Sequence, residues 1–162
     1  MNNFDRQIDV LRLENARIMF RNFEGRGSKY NEEGKRNFCV VIPDAMQAQE
    51  LAAQGWKVRI LAPRSDDEEP KHYIPVAVNF NYRPPKIVVI TKRSRNELTE
   101  ETVGMLDQAD ISNIDLALRP YHWDSPTGSG IKAYLKTMYV TLNEDEFADK
   151  YSESENDDYL PF

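Results

Sequence analysis

Cysteine is nearly missing from this 162-residue chain, with Cys39 standing alone. One thiol excludes an intramolecular disulfide framework and suits a reducing compartment. Histidine is almost as scarce. His72 and His122 lie fifty positions apart with no Cys, His or carboxylate at ligand spacing, so zinc and metalloprotease motifs are absent. Glycine totals seven, and its placement builds no phosphate cradle. Gly34-Lys35 is followed by Arg36, and the residue five before Gly34 is Lys29, so a P-loop fails twice; Gly25-Arg26-Gly27 lacks the third glycine of a dinucleotide fingerprint. No cofactor and no metal are expected. No apolar run approaches the ~20 residues of a membrane helix, and the opening Met-Asn-Asn-Phe-Asp carries no basic-then-apolar leader. No membrane partner is therefore expected, and the cytoplasm is the expected location. Cys39 lies in an apolar run and reads as a buried structural thiol, while Asp66-Asp67-Glu68-Glu69 reads as a solvated loop. Nothing here gives grounds for an enzyme.

What the chain has in excess is acid, 27 Asp and Glu against 21 Lys and Arg, a net charge of −6. Taken whole, that argues against a nucleic-acid partner. Located, it argues otherwise. Residues 143–162 hold eight acids and the single base Lys150, a charge of −7, which leaves +1 for residues 1–142. Residues 71–95 contain six bases and no acid, and residues 17–36 contain six bases against three acids. The chain divides into a near-neutral body with basic segments and a strongly acidic C-terminal tail.

The body is strand-rich. Residues 8–13, 17–23, 37–42 and 56–62 are short β-branched or alternating runs. Residues 24–34 are Gly-rich and aperiodic, a loop. Asp44 caps an expected helix over 45–54 that Gly55 stops. Residues 73–82 and 87–91 read as paired strands joined at Arg83-Pro84-Pro85-Lys86, and a helix is expected from Thr99 to about Ala109, acidic in its first turn. Residues 114–123 and 131–142 form a hairpin. About seven strands and two short helices, without regular βαβ alternation, give a mainly β fold, a partly closed, OB-like antiparallel barrel with extra strands. The expected division is a binding domain over 1–142 and a tail, disordered beyond about residue 152, over 143–162.

Single-stranded nucleic acid needs a positive track for phosphates and aromatic platforms for bases. Period-two alternation puts Lys132, Tyr134 and Lys136 on one face of the last strand and Arg119, Tyr121 and Trp123 on one face of its hairpin neighbour. The two faces merge into a basic-aromatic patch, unless the rings are core aromatics or cross-strand pairs. A second candidate combines Arg17, Arg21 and Phe23 with the loop residues Arg26, Lys29, Tyr30, Lys35 and Arg36. The acid-free stretch adds Tyr82, Arg83 and Lys86. Glu100 and Glu101 open the expected helix and would repel phosphate, which disfavours helix-in-groove reading of duplex DNA.

The chain ends Asp157-Asp158-Tyr159-Leu160-Pro161-Phe162. An acid run ending in apolar residues has the build of a docking peptide: Phe fills an apolar pocket, Pro limits free-state entropy, and the carboxylates meet basic residues. This terminus closely resembles the C-terminal tip of bacterial and phage single-stranded-DNA-binding proteins. The body resembles the phage-encoded members through Asn22-Phe23-Glu24-Gly25 and Asn37-Phe38-Cys39-Val40-Val41. The resemblance implies an OB-fold body that coats single-stranded DNA and a tip that recruits replication, recombination and repair proteins, in the host cytoplasm for a phage protein. A homodimer is one assembly left open. The chain departs from the familiar bacterial proteins in having more strands than a minimal OB barrel and no long Gly/Gln/Pro-rich linker. Two alternatives stay open: an acidic decoy that mimics the tip to capture host proteins without binding DNA, and a nuclease or annealing enzyme with dispersed carboxylates.

Overall fold

A computed structural model describes residues 9–144; the tip at 157–162 lies outside the described residues. Nine strands run in chain order as β1 (Leu11–Leu13), β2 (Ile18–Asn22), β3 (Arg36–Ile42), β4 (Arg59–Leu61), β5 (Lys71–Val78), β6 (Lys86–Ile90), β7 (Arg95–Leu98), β8 (Ile111–Ser125) and β9 (Gly128–Leu142). One helix, α1 (Ala45–Gln54), follows β3, and a short 3-10 helix (Val103–Asp107) precedes β8.

The hairpin of β8 and β9 is the spine. Its strands are fifteen residues each, long enough to span about 50 Å. The main path of the sheet runs β1-β8-β9-β5-β3-β2. Along its free edge β9 takes two partners in succession, both parallel: β5 at Ala133 and Tyr134, then β6 from Thr137 to Thr141. All other pairings between strands are antiparallel. The end strands β1 and β2 do not pair with one another among the described residues, so the sheet is not a closed barrel. It nonetheless wraps a single core. Phe38, Val40 and Ile42 of β3, Ile74 and Val76 of β5, Ile87 of β6, Leu116 and Leu118 of β8, and Leu135, Met138 and Val140 of β9 belong to one buried cluster.

Local chemistry accounts for the helix. Asp44 Oδ1 accepts from Met46 N at 3.0 Å, and Gly55 ends the helix at φ 110°, a left-handed conformation that a side chain would strain. Ala48 and Leu51 are its buried residues.

Two expectations need correcting. The strands at 73–82 and 87–91 do not pair; β5 and β6 share an edge of β9 instead, because the Pro84-Pro85 link carries the chain past β5 rather than turning it back. Residues 95–98, given no element by the sequence, form β7 against β6. The expected helix from Thr99 is a turn and five residues of 3-10 helix, fixed by Val103 N donating to Thr99 O at 2.9 Å.

A bulge in β2 explains a third. Met19 sits opposite Cys39 and Asn22 opposite Asn37, three residues against two. The extra residue reverses alternation, so Phe23, expected to share a face with Arg17 and Arg21, turns inward. It is fully buried and stacks on Phe38, ring centroids 5.0 Å apart.

Candidate nucleic-acid interface

The β8–β9 hairpin brings the expected patch together in register. Arg119 lies opposite Tyr134, Tyr121 opposite Lys132, and Trp123 opposite Gly130, all on the face away from the buried Leu118, Ile131, Ala133 and Leu135. The Tyr134 ring is edge-on to Tyr121 at 6.0 Å, with the Lys132 ammonium 5.1 Å and the Arg119 guanidinium 5.8 Å from its centroid. Such cation–ring contacts add about 0.5–1 kcal/mol at exposed sites. Trp123 covers Gly130 so closely that a Cβ there would sit 3.1 Å from indole Cζ2. Glycine at 130 is what lets the indole lie flat on the strand.

This patch is one wall of a groove of about 1020 Å³. Its floor is the outer face of β5, with Pro75, Ala77 and the following Asn79; Asn37 of β3 and Lys57 also contribute. The opposite wall is Tyr30, Gly34, Lys35, Arg36 and Phe80. Lys57 and Lys132 have no carboxylate at ion-pair distance among the described residues, whereas Lys35 pairs with Glu32 at 3.1 Å and Arg36 with Glu100 at 3.3 Å. Arg36 also lies 5.9 Å from the centroid of Phe80. The lining thus holds four cations, one carboxylate and the aromatic rings of Tyr30, Phe80, Trp123 and Tyr134.

The loop between β2 and β3 is tied rather than loose. Gly34 N donates to Gly25 O at 2.8 Å, closing its stem. Asn22 exchanges hydrogen bonds with the Arg26 backbone, Asn31 donates to Arg26 O and Lys35 O, and Asn37 donates to Asn31 Oδ1 at 2.9 Å. This asparagine network holds Tyr30 out at the tip, 90% exposed, with Lys29 Nζ 5.8 Å from its ring.

Six expected residues line the groove: Tyr30, Lys35, Arg36, Trp123, Lys132 and Tyr134. Arg119 and Tyr121 border it through Tyr134. Tyr82, exposed and covered by Arg83 at 5.5 Å, follows the groove residue Asn81. Two residues are committed elsewhere. Phe23 is core, so its ring is closed to a base. Arg21 Nη1 donates to Leu106 O at 3.1 Å and Ala109 O at 2.8 Å, clamping the 3-10 helix to β2. Arg26 is exposed and 3.8 Å from Asp107, whose carboxylate also accepts from Phe23 N and Glu24 N. Lys86 and Lys136 stand apart, Lys86 over Tyr139 at 6.0 Å and Lys136 in a separate cleft of about 270 Å³ with Arg12 and Tyr139. Arg17 is exposed outside the groove. Lys57, Phe80, Asn79 and Asn81 were not expected at the site; the runs expected at 56–62 and 73–82 are shorter as strands, which leaves these residues in connections that reach the groove beside β5.

Among the described residues no three His, Cys, Asp or Glu side chains come together as a metal site, and no helix is long and apolar enough to cross a membrane. Burial pushes the Cys39 thiol above its ordinary range, with Arg59 pulling the other way.

Residues 2–159 match the family described as "Putative phage ssDNA-binding domain". No curated protein sequence matches. The fold is similar to that of the single-stranded DNA-binding protein from bacteriophage Enc34 in complex with ssDNA, at TM-score 0.54 and 15% identity over 85% of this chain and 89% of that one. The same phage protein in a structure described without DNA aligns at TM-score 0.50 and 15% identity over 88% and 89%.

Proposed function

The chain belongs to the phage single-stranded-DNA-binding domain family, and on that premise we propose that it binds single-stranded DNA without strong sequence preference and without catalysis. The observation that carries the reading is the groove, where four cations and four aromatic rings share one concave surface. Phosphates follow Lys35, Arg36, Lys57 and Lys132. Bases stack on Trp123, Tyr134, Phe80 and Tyr30, and stacking tolerates any base because every base has a π-face, at about 1–3 kcal/mol each. Coating of this kind protects DNA during replication and recombination in the host cytoplasm.

The division of labour we propose keeps DNA binding in residues 1–142 and partner docking in 143–162. Asp157, Asp158, Tyr159, Leu160, Pro161 and Phe162 form the docking tip, Phe162 entering an apolar pocket on a replication, recombination or repair protein while the acids meet its basic rim. Twenty residues reach at most about 70 Å when fully extended, so a tail charge of −7 can also compete for the groove.

An oligo-dT mobility shift across a salt series tests the first part. Four groove cations displacing counterions, with Arg36 held back by its pair with Glu100, give a slope of log K against log salt of about −2 to −3. Absence of binding, or affinity independent of salt, refutes it. Deleting residues 152–162 tests the second: affinity for oligo-dT rises at low salt and partner pull-down is lost. Unchanged affinity rules out competition by the tail, and retained pull-down rules out docking.

A further inference from the structure

We propose that the outer face of β2, β3, β4 and β5 carries a second single-stranded-DNA subsite, with Phe20 and Tyr73 as its stacking platform and Arg17 and Arg59 as its phosphate contacts. The inference rests on the groove reading and extends the path of the strand beyond it.

The starting point is Phe20. It is 59% exposed and held at φ 54°, a left-handed conformation that is costly for a bulky side chain. Fold stability gives no reason for such a residue there, since a glycine would be relaxed and hide its apolar surface. The bulge between Met19 and Asn22 turns the ring outward, a use bulges commonly have beside functional surfaces. There it meets Tyr73 edge to face, centroids 6.1 Å apart at 73°.

The register ties this pair to the groove. In β5 the buried residues are Ile74, Val76 and Val78, so Tyr73 shares the opposite face with Pro75 and Ala77, both of which line the groove. Four residues of strand separate Tyr73 from Ala77 by about 13 Å. Across the sheet, Tyr73 pairs with Val41 of β3 and with Arg59 of β4. Arg59 is exposed and follows the groove residue Lys57 by two positions, so the cationic track continues from one region to the other. Arg17, also exposed, is anchored beside β3 by Val41 N donating to its carbonyl at 2.9 Å.

Charge selects the occupant. The strands Ile18–Asn22, Arg36–Ile42, Arg59–Leu61 and Lys71–Val78 contain no Asp or Glu. Strands without acid, with the exposed Phe20 ring beside the half-buried Tyr73 and contiguous with a basic groove, suit a polyanion with unpaired bases.

The test uses the full chain and a series of oligo-dT ligands from about 4 to 16 nucleotides, the range of sites on such folds. Phe20→Ala lowers affinity for the longest oligonucleotide about tenfold and leaves the shortest unchanged, whereas Trp123→Ala weakens both. Arg59→Ala repeats the length-dependent loss. The sole cysteine adds a footprint. Cys39 is half-buried on this face beside Met19 and Pro75, and saturating long oligo-dT slows its alkylation while the shortest does not. Melting of Phe20→Gly at or above the wild-type temperature separates a binding role for the ring from a packing one.

The proposal is overturned if Phe20→Ala and Arg59→Ala bind the longest oligonucleotide as wild type does, or if Cys39 alkylation is indifferent to DNA. A change in sedimentation of Phe20→Ala, with DNA affinity intact, would assign the face to contact between copies and also overturn it. Wild-type protein that binds no oligonucleotide of any length refutes the groove reading itself. Loss in Trp123→Ala alone refutes only the second subsite.

Discussion

Among the described residues Glu100 is the one carboxylate lining the groove, and Glu100→Gln isolates its effect. The carboxylate lies 3.3 Å from Arg36 Nη1, with the two side chains 46% and 19% exposed. Gln keeps the shape and can still accept from Arg36, so the guanidinium stays in place while one negative charge leaves a lining of four cations. A phosphate that contacts the same guanidinium would sit roughly 6 Å from the carboxylate. At that distance the repulsion is about 0.7 kcal/mol in bulk water and about 3 kcal/mol at an effective dielectric near 20. The expected gain in affinity for oligo-dT is therefore about tenfold at low salt. Freeing Arg36 for one more phosphate also steepens the salt slope by ~0.7. The cost to the fold is that of a partly exposed ion pair, about 0.2–1 kcal/mol, so the melting profile barely moves. Titrations of wild type and variant at several salt concentrations measure affinity and slope together. If both are unchanged while the variant is folded, no phosphate reaches Arg36 and this side of the groove is not on the DNA path.

Trp123→Ala costs about 1–3 kcal/mol of oligo-dT affinity and removes the fluorescence quenching that DNA produces, because Trp56 is 3% exposed and cannot report contact. Quenching that persists in the variant refutes this. Arg21→Ala lowers folding stability by about 1.5–3 kcal/mol, through loss of the charged donor to Leu106 O and Ala109 O, and leaves oligo-dT affinity unchanged below its melting range. A weakened affinity there returns Arg21 to the DNA contacts. The raised Cys39 pKa makes stability fall with alkalinity: the unfolded thiol ionises first, so the contribution is full below the ordinary thiol range and disappears as pH climbs through the folded value. Denaturant melts of wild type and Cys39→Ser over mildly alkaline pH test the sign, and a wild type that gains stability relative to Cys39→Ser refutes it.

Some of this site is legible in the sequence because the determinants are local. The Asp44 cap and the Gly55 stop lie next to the helix they bound, and the faces of β8 and β9 follow from alternation within one hairpin whose register the turn sets. The shared face of Tyr121, Trp123, Lys132 and Tyr134 was legible for that reason. The face containing Phe23 was not, because a single bulged residue reverses parity and leaves no mark in composition. Arg21 was misread alongside it: its partners are carbonyls 85 and 88 positions away, beyond any periodic pattern. The groove residues Lys57 and Phe80 escaped notice for a related reason, since each sits in a connection whose position is set by the strands around it.

By itself the sequence determined a strand-rich body and a separate acidic end. The −6 total splits into +1 and −7, and clustered bases interleaved with aromatics make a nucleic-acid surface possible. Only the tertiary structure decided which of those bases and rings meet. Two parallel pairings onto one edge of β9 bring β5 beside the hairpin, and long-range backbone pairing of that kind depends on distant segments and not on any stretch read alone. That juxtaposition sets Trp123 and Tyr134 across from Arg36 and Phe80, sends Phe23 into the core, and leaves Phe20 facing outward.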